Sequence, residues 1–120
     1  MSIDFYSDYT MTIDGQAAKS GNHFEAINPA TEQVIAVVPE ASREQLESAV
    51  AGAKRAFPSW SSRPIGERQS LVSKIGDAIE AHAEEFKHLL TLEQGKARKG
   101  AEWEIGGAIV WCREIANATD

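Results

Sequence analysis

The sequence predicts a mostly α-helical chain in which a small N-terminal antiparallel β element precedes two or three amphipathic helices. Three observations carry that expectation. An Asp14-Gly15 pair sits among extended residues, Ser42 stands three residues before Gln45, and from residue 42 onward apolar residues recur at helical spacing.

Residues 10–38 read as extended. Thr10, Thr12 and Ile13 lead into Asp14-Gly15, the strongest short hairpin signal, because a type I′ turn needs positive φ at both central positions. Phe24 to Ile27 and Val34 to Val38 are β-branched and apolar, and Asn28-Pro29-Ala30-Thr31 between them has the proline of a tight reversal. Such short strand pairs are marginal alone and must lean on something else.

From Ser42 the period becomes helical. Ser42 and Gln45 form a capping box, the cap alone contributing about 1 kcal/mol. Leu46, Ala49, Val50, Ala53 and Phe57 then make one stripe, expected to be buried, over a helix at 42–58 that Pro58 stops. Pro64 opens the next helical stretch, 65–94, where Arg68, Val72, Ile75 and Ile79 share a face and Ala83, Phe86 and Leu90 continue it. That stretch is long enough to predict a break near Ala81-His82. A last helix over 97–118 places Ala101, Ile105, Ala108, Cys112 and Ile115 on one side.

Charge and cysteine content narrow the function. Twelve basic residues against eighteen acidic ones, a net charge of −6, disfavour nucleic acid or an anionic membrane as partner, since either needs a cationic surface. The apolar runs are too short to span a bilayer, and the N-terminus lacks the lysines and apolar stretch of a signal peptide. One cysteine among 120 residues allows no internal disulfide and suits a reducing cytoplasm.

Few side-chain groupings suggest chemistry. The Gly95-Lys96 pair fails as a phosphate loop, because Leu90 stands where the first glycine is required and Ala97 where the hydroxyl is. Gly95 reads instead as the left-handed residue that ends a helix. His82 and His88 are about 240° apart around a helix and cannot share a metal as residues four apart do. Cys112 lies on an apolar stripe with no histidine beside it, so it reads as a small hydrophobe. Gly100, Gly106 and Gly107 do not form the G-x-G-x-x-G of a dinucleotide site. Gly106-Gly107 inside a helix costs about 1 kcal/mol per residue, and the simplest compensation is close approach of another backbone. The other is room left for a ligand.

Together these pieces resemble a known family. I-N-P-A-T-E-Q-V-I at 27–35, A-x-x-A-F-P-S-W at 53–60, P-I-G-E-R at 64–68 and L-E-Q-G-K at 92–96 resemble, in order and spacing, the N-terminal quarter of the aldehyde dehydrogenase superfamily. The resemblance covers about residues 8–118.

It implies an α/β parent protein that oxidises an aldehyde to an acid with NAD or NADP, by a cysteine thiolate and a glutamate that both lie beyond this segment. Residues 1–120 would then be the N-terminal segment of a cofactor-binding domain, holding no catalytic and no cofactor-binding residue, and inactive in isolation. The resemblance also implies a monovalent cation held by the carbonyl of Ile27 and the carboxylate of Glu93. Glu93 stands where aspartate is more usual, and it reads equally well as a solvated acid of a last helical turn. Gly107 and Trp111 match positions facing the family's substrate tunnel, although Trp111 has an ordinary packing reading too. The parent is expected to be a cytoplasmic homo-oligomer whose partner is a small aldehyde. The alternative is a free-standing helical interaction or scaffold module without a cofactor. On the family reading, apolar surface shaped to cover a larger fold is left exposed.

Overall fold

A computed structural model describes residues 9–118. Its contacts divide the chain into two units at Ser61/Ser62. The chain is mostly α with two small antiparallel strand pairs, as expected.

In the first unit, β1 (Met11–Ile13) and β2 (Gln16–Ala18) pair antiparallel with Met11 opposite Ala18 and Ile13 opposite Gln16. The two residues between them have φ of 52° at Asp14 and 76° at Gly15, the doubly positive pair of a type I′ turn. β3 (His23–Ile27) and β4 (Val34–Pro39) form a second antiparallel pair with an irregularity between Ala26 and Ile27. Asn28 organises the connection. Its side-chain Oδ1 accepts from the Ala30 N–H at 2.9 Å, and its carbonyl accepts from the Thr31 and Glu32 N–H groups at 3.3 and 2.8 Å. Closing the loop this way puts Glu32 at φ 58°.

α1 (Arg43–Ser61) starts at the predicted box. The Gln45 N–H donates to Ser42 Oγ at 3.2 Å, and the Ser42 N–H donates to Gln45 Oε1 at 2.9 Å. Gln45 also reaches back to donate from Nε2 to the Lys19 carbonyl at 2.9 Å, tying the helix start to the end of the first hairpin.

Two expectations for this helix need correction. It does not stop at Pro58 but continues to Ser61. Proline removes one donor, yet the hydroxyls of two serines that follow it close the last turn. Ser59 Oγ donates to the Ala56 carbonyl at 2.9 Å and Ser61 Oγ to the Pro58 carbonyl at 3.2 Å. The stripe of Leu46, Val50 and Phe57 is also exposed rather than buried. Ala49 and Gly52 occupy the covered side instead, and only Gly52 is fully buried.

The second unit is three helices. α2 (Ile65–Ala81) follows Pro64, whose carbonyl accepts from Glu67 and Arg68. The predicted break falls at His82, where ψ of 25° ends α2 before α3 (Ala83–Gln94) begins. Gly95 then stops α3 with φ 65°, its N–H donating to the Thr91 carbonyl at 3.0 Å. α4 (Arg98–Asn117) packs against both α2 and α3.

The core is small. Ala101 and Ala116, both on α4, are the buried hydrophobic residues among those described, at 0% and 5% exposure. Because small residues fill the α2–α4 seam, the backbones meet closely. A Cβ added to Gly76 would lie 3.2 Å from both the Ile109 carbonyl oxygen and Cys112 Cβ. Beside that crossing, Arg113 donates from Nη2 to Asp77 at 2.9 Å and to Glu80 at 2.6 Å. The two carboxylates raise the Arg113 pKa further above its ordinary value, Glu80 more than Asp77.

Candidate functional site

α4 presents two unlike faces. Ala101, Ile105, Ala108, Cys112 and Ala116 recur toward the other helices of the unit. About 200° around the helix from Ile109, Gly107 points outward with Trp111 one turn beyond and Trp103 one turn before. Trp111 is 68% exposed and Trp103 82%, and Val110 and Ile115 are exposed with them. Among the described residues, no group beyond the adjoining residues and backbone of α4 itself lies within 4 Å of a Cβ built on Gly106 or Gly107.

That last observation corrects the expected reason for the glycine pair. Among the described residues no second backbone approaches Gly106 or Gly107; the glycine that admits a neighbouring helix is Gly76. Its only sequence signal was a glycine inside the stripe Ile75-Gly76-Asp77, which periodicity alone does not separate from a weak helix position. What remains at Gly106 and Gly107 is a bare stretch of helix between two exposed indole rings.

The start of α4 is held by charge. Lys96 pairs with Glu104, and its aliphatic stem crosses Gly100 so closely that a Cβ there would lie 3.2 Å from Lys96 Cγ. Arg98 joins Glu84 at 3.1 Å, and Glu84 also accepts from Lys87 Nζ at 2.8 Å. Lys87 first, and Arg98 to a lesser degree, hold the Glu84 carboxyl below the usual carboxylate range.

The other residues singled out from sequence belong to different elements. Ile27 is the last residue of β3, in the first unit, and is half exposed. Glu93 is an exposed acid in the last turn of α3, in the second unit. Among the described residues no three His, Cys, Asp or Glu side chains gather as metal ligands. Cys112 is partly covered and lies against Gly76, within the helix seam.

The turn from β4 into α1 contains no glycine, and the first-turn N–H of Gln45 is already taken by Ser42. No helix among the described residues is long and apolar enough to cross a membrane.

The model of the aldehyde dehydrogenase family matches residues 16–120. The chain belongs to that family. It corresponds to the N-terminal portion of an aldehyde dehydrogenase. A probable aldehyde dehydrogenase from a Pseudomonas species is 38% identical over 107 residues, which cover 89% of this chain and 22% of that protein. Malonate-semialdehyde dehydrogenase 1 of Geobacillus thermodenitrificans is 41% identical over 105 residues, covering 87% of this chain and 21% of that protein. The NAD+ complex of the aldehyde dehydrogenase from Bacillus cereus superposes with a TM-score of 0.87 at 37% identity, covering 92% of this chain and 24% of that one. This aldehyde dehydrogenase chain therefore spans about a quarter or less of the length of the proteins it matches.

Proposed function

We propose that this chain is the N-terminal portion of an enzyme that oxidises an aldehyde to a carboxylic acid with NAD or NADP. The family match across residues 16–120 carries the reading. The dinucleotide, when bound elsewhere in such an enzyme, accepts the hydride. The residues present here do not fit it, for want of a glycine-rich phosphate turn, so they have no part in that transfer.

This segment supplies walls and supports. The outer face of α4, with Gly107 and Trp111, lines the way by which the aldehyde enters. Its exposed indoles and bare glycines suit an apolar chain and exclude water from it. The carbonyl of Ile27 and the carboxylate of Glu93 would hold a monovalent cation, since both are the oxygen donors a hard cation takes. The parent is a cytoplasmic homo-oligomer, and the isolated 120 residues do not turn over substrate. The exposed apolar faces of α1 and α4 weigh against a self-sufficient scaffold module.

The test is direct. The complete dehydrogenase carrying this portion is assayed with a panel of aldehydes for formation of reduced nicotinamide. Aldehyde-dependent reduction by the complete enzyme, with none by the 120-residue chain, is the expected result. Failure to reduce either dinucleotide with any aldehyde would overturn the reading.

A further inference from the structure

Gly76 and Arg113 lie on the far side of α4 from its exposed face. A Cβ at Gly76 would press on the Ile109 carbonyl oxygen and Cys112 Cβ, both at 3.2 Å. One of those neighbours is backbone, so a side chain at 76 moves the helix and not merely a rotamer. The direction is fixed by the helical spacing. Trp111 and Gly107 are each about 200° around from Ile109, so pushing α4 away from α2 carries them outward.

Rotation about the helix axis is restrained separately. Arg113 reaches two carboxylates one turn apart on α2, at 2.9 and 2.6 Å, which pins its angular position as a single ion pair would not.

We propose that Gly76 and Arg113 are positioning residues for aldehyde selection. Glycine at 76 sets how deeply α4 sits on α2, Arg113 sets its rotation, and together they fix how far the Trp111 ring and the bare Gly107 project into the substrate's path. This rests on the proposed role of the α4 face in aldehyde entry. Neither residue touches substrate; each acts through Trp111.

The experiment uses the complete dehydrogenase and a graded series of aldehydes, from short linear to branched and aromatic. Gly76→Ala forces a shift of a few tenths of an ångström. Since a misplacement of about 1 Å costs on the order of a hundredfold, KM for bulky aldehydes should rise roughly fivefold, with kcat within about twofold and short aldehydes unaffected. Arg113→Gln, which adds no bulk to the seam, should also change the ratio of bulky to short aldehydes. In the double variant Gly76→Ala/Trp111→Ala the dependence on size should vanish, because the ring that transmits the shift is gone.

An enzyme that oxidises no aldehyde overturns the functional reading itself. One that oxidises aldehydes, but in which both variants scale kcat/KM equally for every aldehyde, overturns the positioning role alone. So does size dependence that persists without the Trp111 ring.

Discussion

The carboxylate of Asp14 occupies the space that a side chain at Gly52 would need: a Cβ built there would lie 2.8 Å from Asp14 Oδ1. The same carboxylate accepts from Arg55 Nη2 at 2.8 Å, so it is held from both sides along α1. Gly52→Ala would gain about 1 kcal/mol of helix propensity, but overpacking against a fixed group costs about 1–3 kcal/mol. The net expectation is mild destabilisation, read as a lower urea midpoint for α1. In an Asp14→Gly background, which keeps the positive φ, the sign should reverse. Gly106→Ala is the control. No neighbour among the described residues obstructs it, so it should stabilise by up to about 1 kcal/mol.

The start of α1 should be sensitive to acid. The Glu44 carboxyl lies below its ordinary value of 4.5, chiefly through its own backbone N–H and then the Ser42 hydroxyl. A depressed carboxylate stabilises the fold above its unfolded pKa, and that contribution is lost as pH falls through the lower folded value. The protection factors of amides in the first turn of α1 should therefore fall as pH drops below about 4.5, with those at the start of α3, where Glu84 sits, following the same sign. Ser42→Ala should remove about 1 kcal/mol from the helix at neutral pH, because it leaves the Gln45 N–H without its partner. Unchanged exchange protection at that turn would contradict the assigned cap.

Gly95 has φ 65°, a conformation that costs a residue with a Cβ about 1–2 kcal/mol. Gly95→Ala should lower the unfolding midpoint of α3 and α4 by that order. Gly95→Asn should recover part of the loss, since asparagine tolerates the left-handed region. Equal midpoints for the two variants would refute the assignment.

The isolated 120-residue chain should self-associate. Phe24, Leu46, Phe57, Trp103 and Trp111 are all exposed, more apolar surface than a small monomer ordinarily leaves wet. Sedimentation velocity should show mass above 13.1 kDa that grows with concentration. A single sharp monomer that binds no apolar dye would count against it.

Local chemistry was legible where a few neighbouring residues decide the conformation. The Asp14-Gly15 turn, the Ser42–Gln45 box and the stop at Gly95 follow from side-chain size and donor count, and the break at His82 from the length of its helical stretch. Pro58 was misjudged because its cost was weighed without the serines that close the turn beyond it. The Leu46 stripe has the right period for burial, but periodicity says that a face is apolar and not what covers it. Gly76 and Gly52 were missed for the same cause. A helix glycine explains itself only once its neighbour, the Ile109 carbonyl or the Asp14 carboxylate, is in place. At the candidate site, sequence pointed to Gly107 and Trp111 through family likeness, while their shared outward face emerged from the packing of α4.

The outward indoles of α4 give the molecule an optical signal of its own. Trp103 and Trp111 sit in water here, so their emission should lie toward the red, with the third tryptophan, Trp60, also partly wet. Whatever comes to rest over Gly106 and Gly107 will dry those rings and move the emission to shorter wavelength, and no added label is needed to watch it arrive.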